Sequence, residues 1–430
     1  MRNFGPEASA ALGGPRWLAA RRAEAAERLR GLGPPSADGA EVWRYSPIDQ
    51  LDLDAYHPAP ETPAPPVPAL AQELGAGAVV LVANGRVVSV ERDGLDPAVS
   101  VVAGSDLERP PDALGTLVSA NDFFVTLNDA FVPEVVVVEV PPGTVVERPV
   151  VIAHWAGAAG PDGPAPCALA RTFVHVGEGA QADVVEVFAG GGQAGRSLVV
   201  PVGEVVVEDR GRLAYAMVQD LGPASWQLAR LGGSVGRDAT LQTFTAGLGA
   251  SYGRVRFDAE TRGEGGATEL TSVYLGSGDQ IHDVRTMQDH AAPRTTSDLL
   301  CKGAVGERAN SVYSGLIRVR HGAVRADAMQ TNHNLVLDER ARAFSLPILD
   351  IEENDVRCSH ASSVGPLSED QRYYLESRGL APDRAERLIV LGFFEDVVDR
   401  VPVASVRRAL RSRIAGRLEA LLGGRVTDGG

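Results

Sequence analysis

The chain has 430 residues, is 44% hydrophobic and carries a formal net charge of −15, so it is long enough for two or three cored domains. That charge argues against a nucleic-acid backbone or an anionic membrane as the main partner, because both reward a basic surface; the only lysine, Lys302, and the scattered arginines form no basic block. Three distant cysteines, Cys167, Cys301 and Cys358, give no disulfide framework and fit reduced thiols. There is no charged-then-apolar leader pattern and no run of the ~18 apolar residues a bilayer span needs, so a cytoplasmic protein is expected.

Residues 1–131 read as a mixed, helix-containing N-terminal region. Pro15 to about Arg30 predicts a helix, with Pro at its start and Gly31, then Gly33-Pro34-Pro35, at its end. An aromatic group, Trp43-Arg44-Tyr45, is followed by a Pro-rich tether from His57 to Pro68. Two Val-rich runs flank Asn84-Gly85, a hairpin signal because this pair accepts the positive φ angles of a type I′ turn. Ser119 to Phe131 predicts one short helix with Phe123, Phe124, Leu127 and Phe131 along a side.

Residues 132–356 change character. Short β-branched runs recur, such as Val135–Val138, Val184–Phe188 and Leu316–Val319, separated by corners like Gly236-Arg237-Asp238-Ala239 and Gly306-Glu307-Arg308-Ala309. Strands without interleaved helices exclude a doubly wound α/β fold. Small-residue corners at loose spacing suggest a solenoid, and a parallel β-helix is the first reading; a large sandwich or two barrels is the alternative.

Residues 357–430 predict a C-terminal helical domain. Ser368-Glu369-Asp370-Gln371 is a capping box, and Gly379 suits the left-handed position after the helix it opens. A second helix begins near Pro382. A third begins at Pro402, with Val406, Leu410, Ile414, Leu418 and Leu421 as one apolar stripe and five arginines around it. Such helices are expected to cap the last coil, which otherwise leaves an open edge.

The only lysine follows Cys301, so no Walker A loop can form, and no H-E-x-x-H or C-x-x-C motif is present. Two groups of residues carry possible chemistry. His282, Asp283, Asp289 and His290 fall in one polar stretch and could bind a metal or do acid–base work, or simply satisfy turn amides. Cys358 and His360, with His333 upstream, offer thiolate and imidazole suited to Fe, Zn or Cu(I). Two ligands hold no metal tightly, so such a site needs more from elsewhere in the fold or from another chain. The bland reading is a buried thiol and a hydrogen-bonded histidine at a strand end.

Gln330 to Leu337, Pro347 to Ile351, Asp355-Val356-Arg357-Cys358-Ser359-His360, Ser368–Gln371, Tyr374-Leu375, Ser377-Arg378-Gly379 and Gly392-Phe393 together resemble the SufB/SufD family of iron–sulfur cluster assembly proteins. The Asp-Val-x-Cys-Ser-His form, Trp43-Arg44-Tyr45 and the Asn84-Gly85 hairpin are most similar to its SufD branch. The resemblance implies an N-terminal helical region, a right-handed parallel β-helix core and a C-terminal helical domain. It also implies a non-catalytic scaffold working with a SufB-like paralogue, bound through the β-helix, and a SufC-like ATPase, bound through the C-terminal helices. A homodimer in isolation is a further possibility, and this chain would bind no nucleotide directly. His360, with Cys358 in a lesser role, would face a transient iron–sulfur cluster shared with the paralogue. Ser368, Gln371, Tyr374, Arg378 and Gly379 would contact the ATPase. Where a SufB-like chain carries a cysteine, this one has Ala341. The rival function is a β-helix enzyme acting on polysaccharide through His282, Asp283, Asp289 and His290.

Overall fold

A computed structural model describes residues 2–39, 41–159, 164–192 and 195–423. The Pro15 helix spans Arg16–Gly31, with Pro15 itself one step earlier, at the N-cap. The hairpin forms from Ala78–Ala83 and Arg86–Glu91 around Asn84 (φ 52°) and Gly85 (φ 84°). Glycine is required there twice over, since a Cβ on Gly85 would stand 2.3 Å from the Leu169 carbonyl oxygen. The Pro-rich tether is not wholly free: Tyr56–Pro58 pairs in parallel with Ala165–Ala168. The Ser119 helix is shorter than its predicted span, at Phe123–Phe131, because Asp122 caps it by accepting the Phe124 and Val125 amides. Every residue of that helix is buried.

From Val136 onward, successive long strands go alternately to two sheets. Val136–Val140, Arg171–Val176, Val202–Val207, Ser225–Val235, Tyr252–Thr261, Ile281–His290, Asn310–Val319 and Arg342–Ile351 stack in parallel in one. Val150–Ala156, Gln181–Gly190, Arg212–Leu221, Thr240–Gly247, Ala267–Gly276, Thr296–Val305, Asp327–Val336 and Arg357–Gly365 stack in parallel in the other. This is a β-helix whose two sheets face each other across a filled lumen. Val184, Leu213, Leu241, Leu270 and Leu299 are part of its inner core. The corners explain the small residues: the Ala239 amide donates back to Gly236, Asp238 adopts φ 54°, and Ala239 is buried inside the turn.

The flanking segments cover the outer faces. Phe123, Phe124 and Leu127 pack on Cys167, Leu198, Leu228 and Tyr252 of the first sheet. The Trp43-Arg44-Tyr45 segment is strapped across that sheet. Arg254 donates to the Val42 carbonyl (2.7 Å) beneath the Trp43 ring, and Arg285 donates to the Arg44 carbonyl (2.7 Å). Tyr45 stacks on Phe344 of the last strand of this sheet, with ring centroids 4.4 Å apart.

The C-terminal helices are Glu369–Ser377, Pro382–Asp399 and Ala404–Gly423. They do not cap the end of the solenoid as expected. Val185, Ala216, Phe244, Val273 and Leu300 make the outer face of the second sheet apolar, and Val390, Phe394, Val406, Leu410, Ile414 and Leu418 bury against it. The arginines around the third helix are not merely solvated. Arg413 and Arg417 reach Asp220 of the sheet, while Arg411 bridges Glu395 and Asp399 of the preceding helix. Lys302 ties the second helix to the sheet through the Phe393 carbonyl (3.0 Å) and Asp396 (2.6 Å).

Candidate functional site

The helices lie along a face, so the last coil keeps its outer edges. Among the described residues, neither Arg342–Ile351 nor Arg357–Gly365 has a strand on its far side. The second of these carries Cys358 and His360, so the β region runs past Val356 and the motif lies within a strand rather than after the last coil. Strand alternation then decides which side chains share a face. Cys358, His360, Ser362 and Val364 continue the inward rows of Ala328, Gln330, Asn332 and Asn334, with which they are in register. The latter four are buried, whereas His360, Ser362 and Val364 are exposed because no coil lies over them.

At this mouth the Ser362 hydroxyl donates to Ser345 across the lumen (2.7 Å). Cys358 packs beside Ala326 and Ala328. Partial burial pushes its thiol up from the ordinary range, and nearby Asp327 adds to that. The chemistry on offer is an exposed imidazole and a half-buried thiol two positions apart on one strand. Among the described residues, no three His, Cys, Asp or Glu side chains come together to hold a metal ion. His333 falls on the outer face instead, where Nδ1 lies 2.5 Å from the Ser363 hydroxyl; burial, then Lys302, lower its pKa. Ala341 is buried at the turn before Arg342–Ile351, against Val305 and Ala309.

The other candidate group is taken apart by the same alternation. His282, Asp283, Asp289 and His290 lie on one buried strand, not at a corner. The histidines face the lumen and the aspartates face outward. Asp283 is held by Tyr252, Arg254 and Arg285, and Asp289 by Arg320. All four are at most 2% exposed, so they form no cleft for a polysaccharide.

A groove of about 760 Å³ runs between the first two C-terminal helices and the sheet. Ser368, Gln371 and Tyr374 line it together with Leu335, Leu388 and Phe393. The Ser368 hydroxyl accepts the Gln371 amide (3.3 Å), Gly379 takes φ 89° after the helix, and the Arg378 guanidinium lies over the Tyr374 ring (5.2 Å). Leu388, on the apolar side of the second C-terminal helix, and Leu349, Ile351 and Val364 at the mouth are large apolar residues whose exposure the sequence pattern does not show. In a sequence, Ser345-Leu346-Pro347-Ile348-Leu349-Asp350-Ile351 reads as an ordinary strand, and the one local mark of its place at the end of its sheet is Pro347, which has no amide N–H to give a neighbouring strand.

A two-sheet β-helix flanked by helices, with its terminal motif at an uncovered end, defines the class. Residues 159–393 match the family described as SUF system FeS cluster assembly, SufBD core domain, over more than half of the chain, and the protein belongs to that family. Within it the chain is most like SufD. An iron–sulfur cluster assembly SufBD family protein of Mycobacterium tuberculosis is 35% identical over 50% of this chain; the chain spans only 56% of that relative's length. The iron–sulfur cluster assembly protein SufD of Bacillus subtilis is 32% identical over 51% of this chain and 50% of its own. The SufD of Escherichia coli is 26% identical over 88% of both. No helix among the described residues is long and apolar enough to cross a membrane.

Proposed function

We propose that this chain is a non-enzymatic, cytoplasmic scaffold subunit of a SufBCD-type complex. It pairs with a SufB-like paralogue through the open end of the β-helix, and a SufC-like ATPase that hydrolyses the ATP docks in the Tyr374 groove. The nascent iron–sulfur cluster is the cargo. His360 supplies one imidazole to it, Cys358 plays a lesser part, and the paralogue supplies the remaining ligands. The observation that carries this reading is the inward-facing but uncovered position of His360 on the last strand. A ligand so placed becomes enclosed only when another molecule continues the solenoid, which is how two ligands on one chain become part of a complete set. An isolated chain has the same edge to offer to a second copy of itself.

The test is anaerobic co-purification with the paralogue and the ATPase, followed by iron and labile-sulfide analysis. His360→Ala is expected to lower both by about tenfold or more, the scale of a damaged metal site, while the complex still assembles. Wild-type iron and sulfide in that variant would make His360 structural. The groove has its own test. Tyr374→Ala with Leu388→Ala removes two exposed apolar anchors and is expected to weaken ATPase binding by about 30-fold or more, the loss of a hot-spot pair, as read by titration calorimetry. Unchanged affinity would move the docking surface elsewhere.

A further inference from the structure

Gln330 lies directly below His360. The two are register partners on adjacent parallel strands, and both point into the lumen. Gln330 is 1% exposed, and its Nε2 donates toward the Gly315 carbonyl (3.4 Å) on the facing sheet, which fixes the amide's orientation. Its Oε1 is buried with no hydrogen-bond partner. The side chain reaches well across the lumen: a Cβ on Gly315 would stand 2.6 Å from Gln330 Nε2 and 2.3 Å from the Tyr313 hydroxyl. Glycine at 315 is therefore what leaves room for the amide. The coil above places His360 over Gln330, Pro347 over Gly315 and Ser345 over Tyr313, so the amide forms the floor of the mouth.

A buried carbonyl oxygen without a donor is costly, and native structures leave few of them. The donor that the last coil offers from the adjoining inward position is a ring N–H of His360. We propose that Gln330 is the positioning residue of the site: its Oε1 accepts one imidazole N–H, fixing the tautomer so that the other ring nitrogen presents its lone pair toward the open end. Histidine ligands are commonly oriented in this way by a carbonyl or carboxylate behind them. The proposal rests on His360 being the cargo-facing ligand, and its test separates the two ideas.

The first measurement is the ring ¹⁵N spectrum of the isolated, metal-free chain at a pH where imidazoles are neutral, with the His360 signals assigned from His360→Ala. A single His360 tautomer is expected in the wild-type protein and in Gln330→Glu, which keeps an acceptor. A mixture of tautomers is expected in Gln330→Met, which is close in volume but has no acceptor. The second measurement is cluster content of the co-purified complex. It should fall by between about twofold and tenfold in Gln330→Met, the worth of one neutral hydrogen bond, with recovery in Gln330→Glu. A purely packing role for Gln330 would change thermal stability without moving the tautomer ratio. If His360 keeps one tautomer in folded Gln330→Met, the positioning role is overturned even when His360→Ala abolishes assembly. If instead the tautomer responds but His360→Ala assembles normally, the hydrogen bond stands and the ligand reading falls.

Discussion

A chain carrying Leu349→Asp and Val364→Asp is expected to lose pairing with its paralogue by at least about 100-fold, while its own unfolding free energy changes by less than about 1 kcal/mol. The asymmetry follows from where these residues stand. Leu349 stacks over Ile317, Val364 stacks over Asn334, and both continue inward rows of the solenoid. Ile317 is fully buried, yet Leu349 is 40% and Val364 45% exposed, because no coil lies above them. In the isolated chain the new carboxylates stay hydrated at little cost. In a complex that continues the lumen they are enclosed without a counter-charge, and burying an unpaired charge costs several kcal/mol. The edge strands add direction to this apolar rim, since unpaired backbone N–H and C=O groups template a further strand. Size-exclusion chromatography with light scattering would read the pairing, and urea unfolding of the separate chain would read its stability. Intact heterodimer in the double variant would place the interface elsewhere on the molecule.

How much of this was legible before the structure depended on how local the signal was. Asn84-Gly85, the Ser368 cap, Gly379 and the Val406-to-Leu421 stripe are set by neighbours within a few residues, and each formed where its chemistry required. The parallel β-helix followed from repeated corners whose buried alanines and positive φ angles are local too. Facing was less legible. The sequence places the Cys358–His360 motif beyond the last coil, because a strand ending in Ser-Ser-Val-Gly before a helix cap carries no mark of its stacking partner. Register with Asp327–Val336, thirty residues earlier, is what makes Cys358 and His360 inward residues and sends His333 outward. The end cap failed for a related reason. The helical stripe is apolar in either placement, and only the outer row of Val185, Ala216, Phe244, Val273 and Leu300, contributed by five different strands, determines where it is buried. Beyond its place at the head of the Gln330-to-Leu337 motif, the clue to Gln330 is its spacing with Asn332 and Asn334. Three amides on the inward side of one strand are unusual in a packed lumen.

The same lumen makes the protein acid-sensitive through residues remote from the open end. His282 is enclosed beside Tyr274, and His290 lies between the Thr295 (2.7 Å) and Ser297 (2.8 Å) hydroxyls. Burial lowers both imidazoles to about 4; Arg417 adds to the effect at His282, while Asp289 and Asp327 partly oppose it at His290. In the unfolded chain each titrates near 6.5. Below that pH the unfolded state takes up protons that the folded state refuses, so stability is full above about 6.5 and is lost progressively as pH falls toward about 4. At pH 5 the loss is roughly 2 kcal/mol per histidine, or about 4 kcal/mol for the pair, a large share of the 5–15 kcal/mol typical of a folded domain. The buried carboxylate of Asp283 does not contribute in this window. Burial pushes it up, but Arg254 and Arg285 together outweigh that and leave it below the usual carboxylate range, so its protonation comes at lower pH. Urea midpoints measured from pH 7.5 to 4.5 should therefore decline most steeply between about 6.5 and 4.5. His290→Gln, which keeps hydrogen-bonding capacity for the two hydroxyls but cannot take up a proton, should remove about half of the decline. A midpoint that stays level from pH 7 to 5 would mean that the two imidazoles are not held neutral in the folded protein, and that the lumen admits charge where its packing implies it does not.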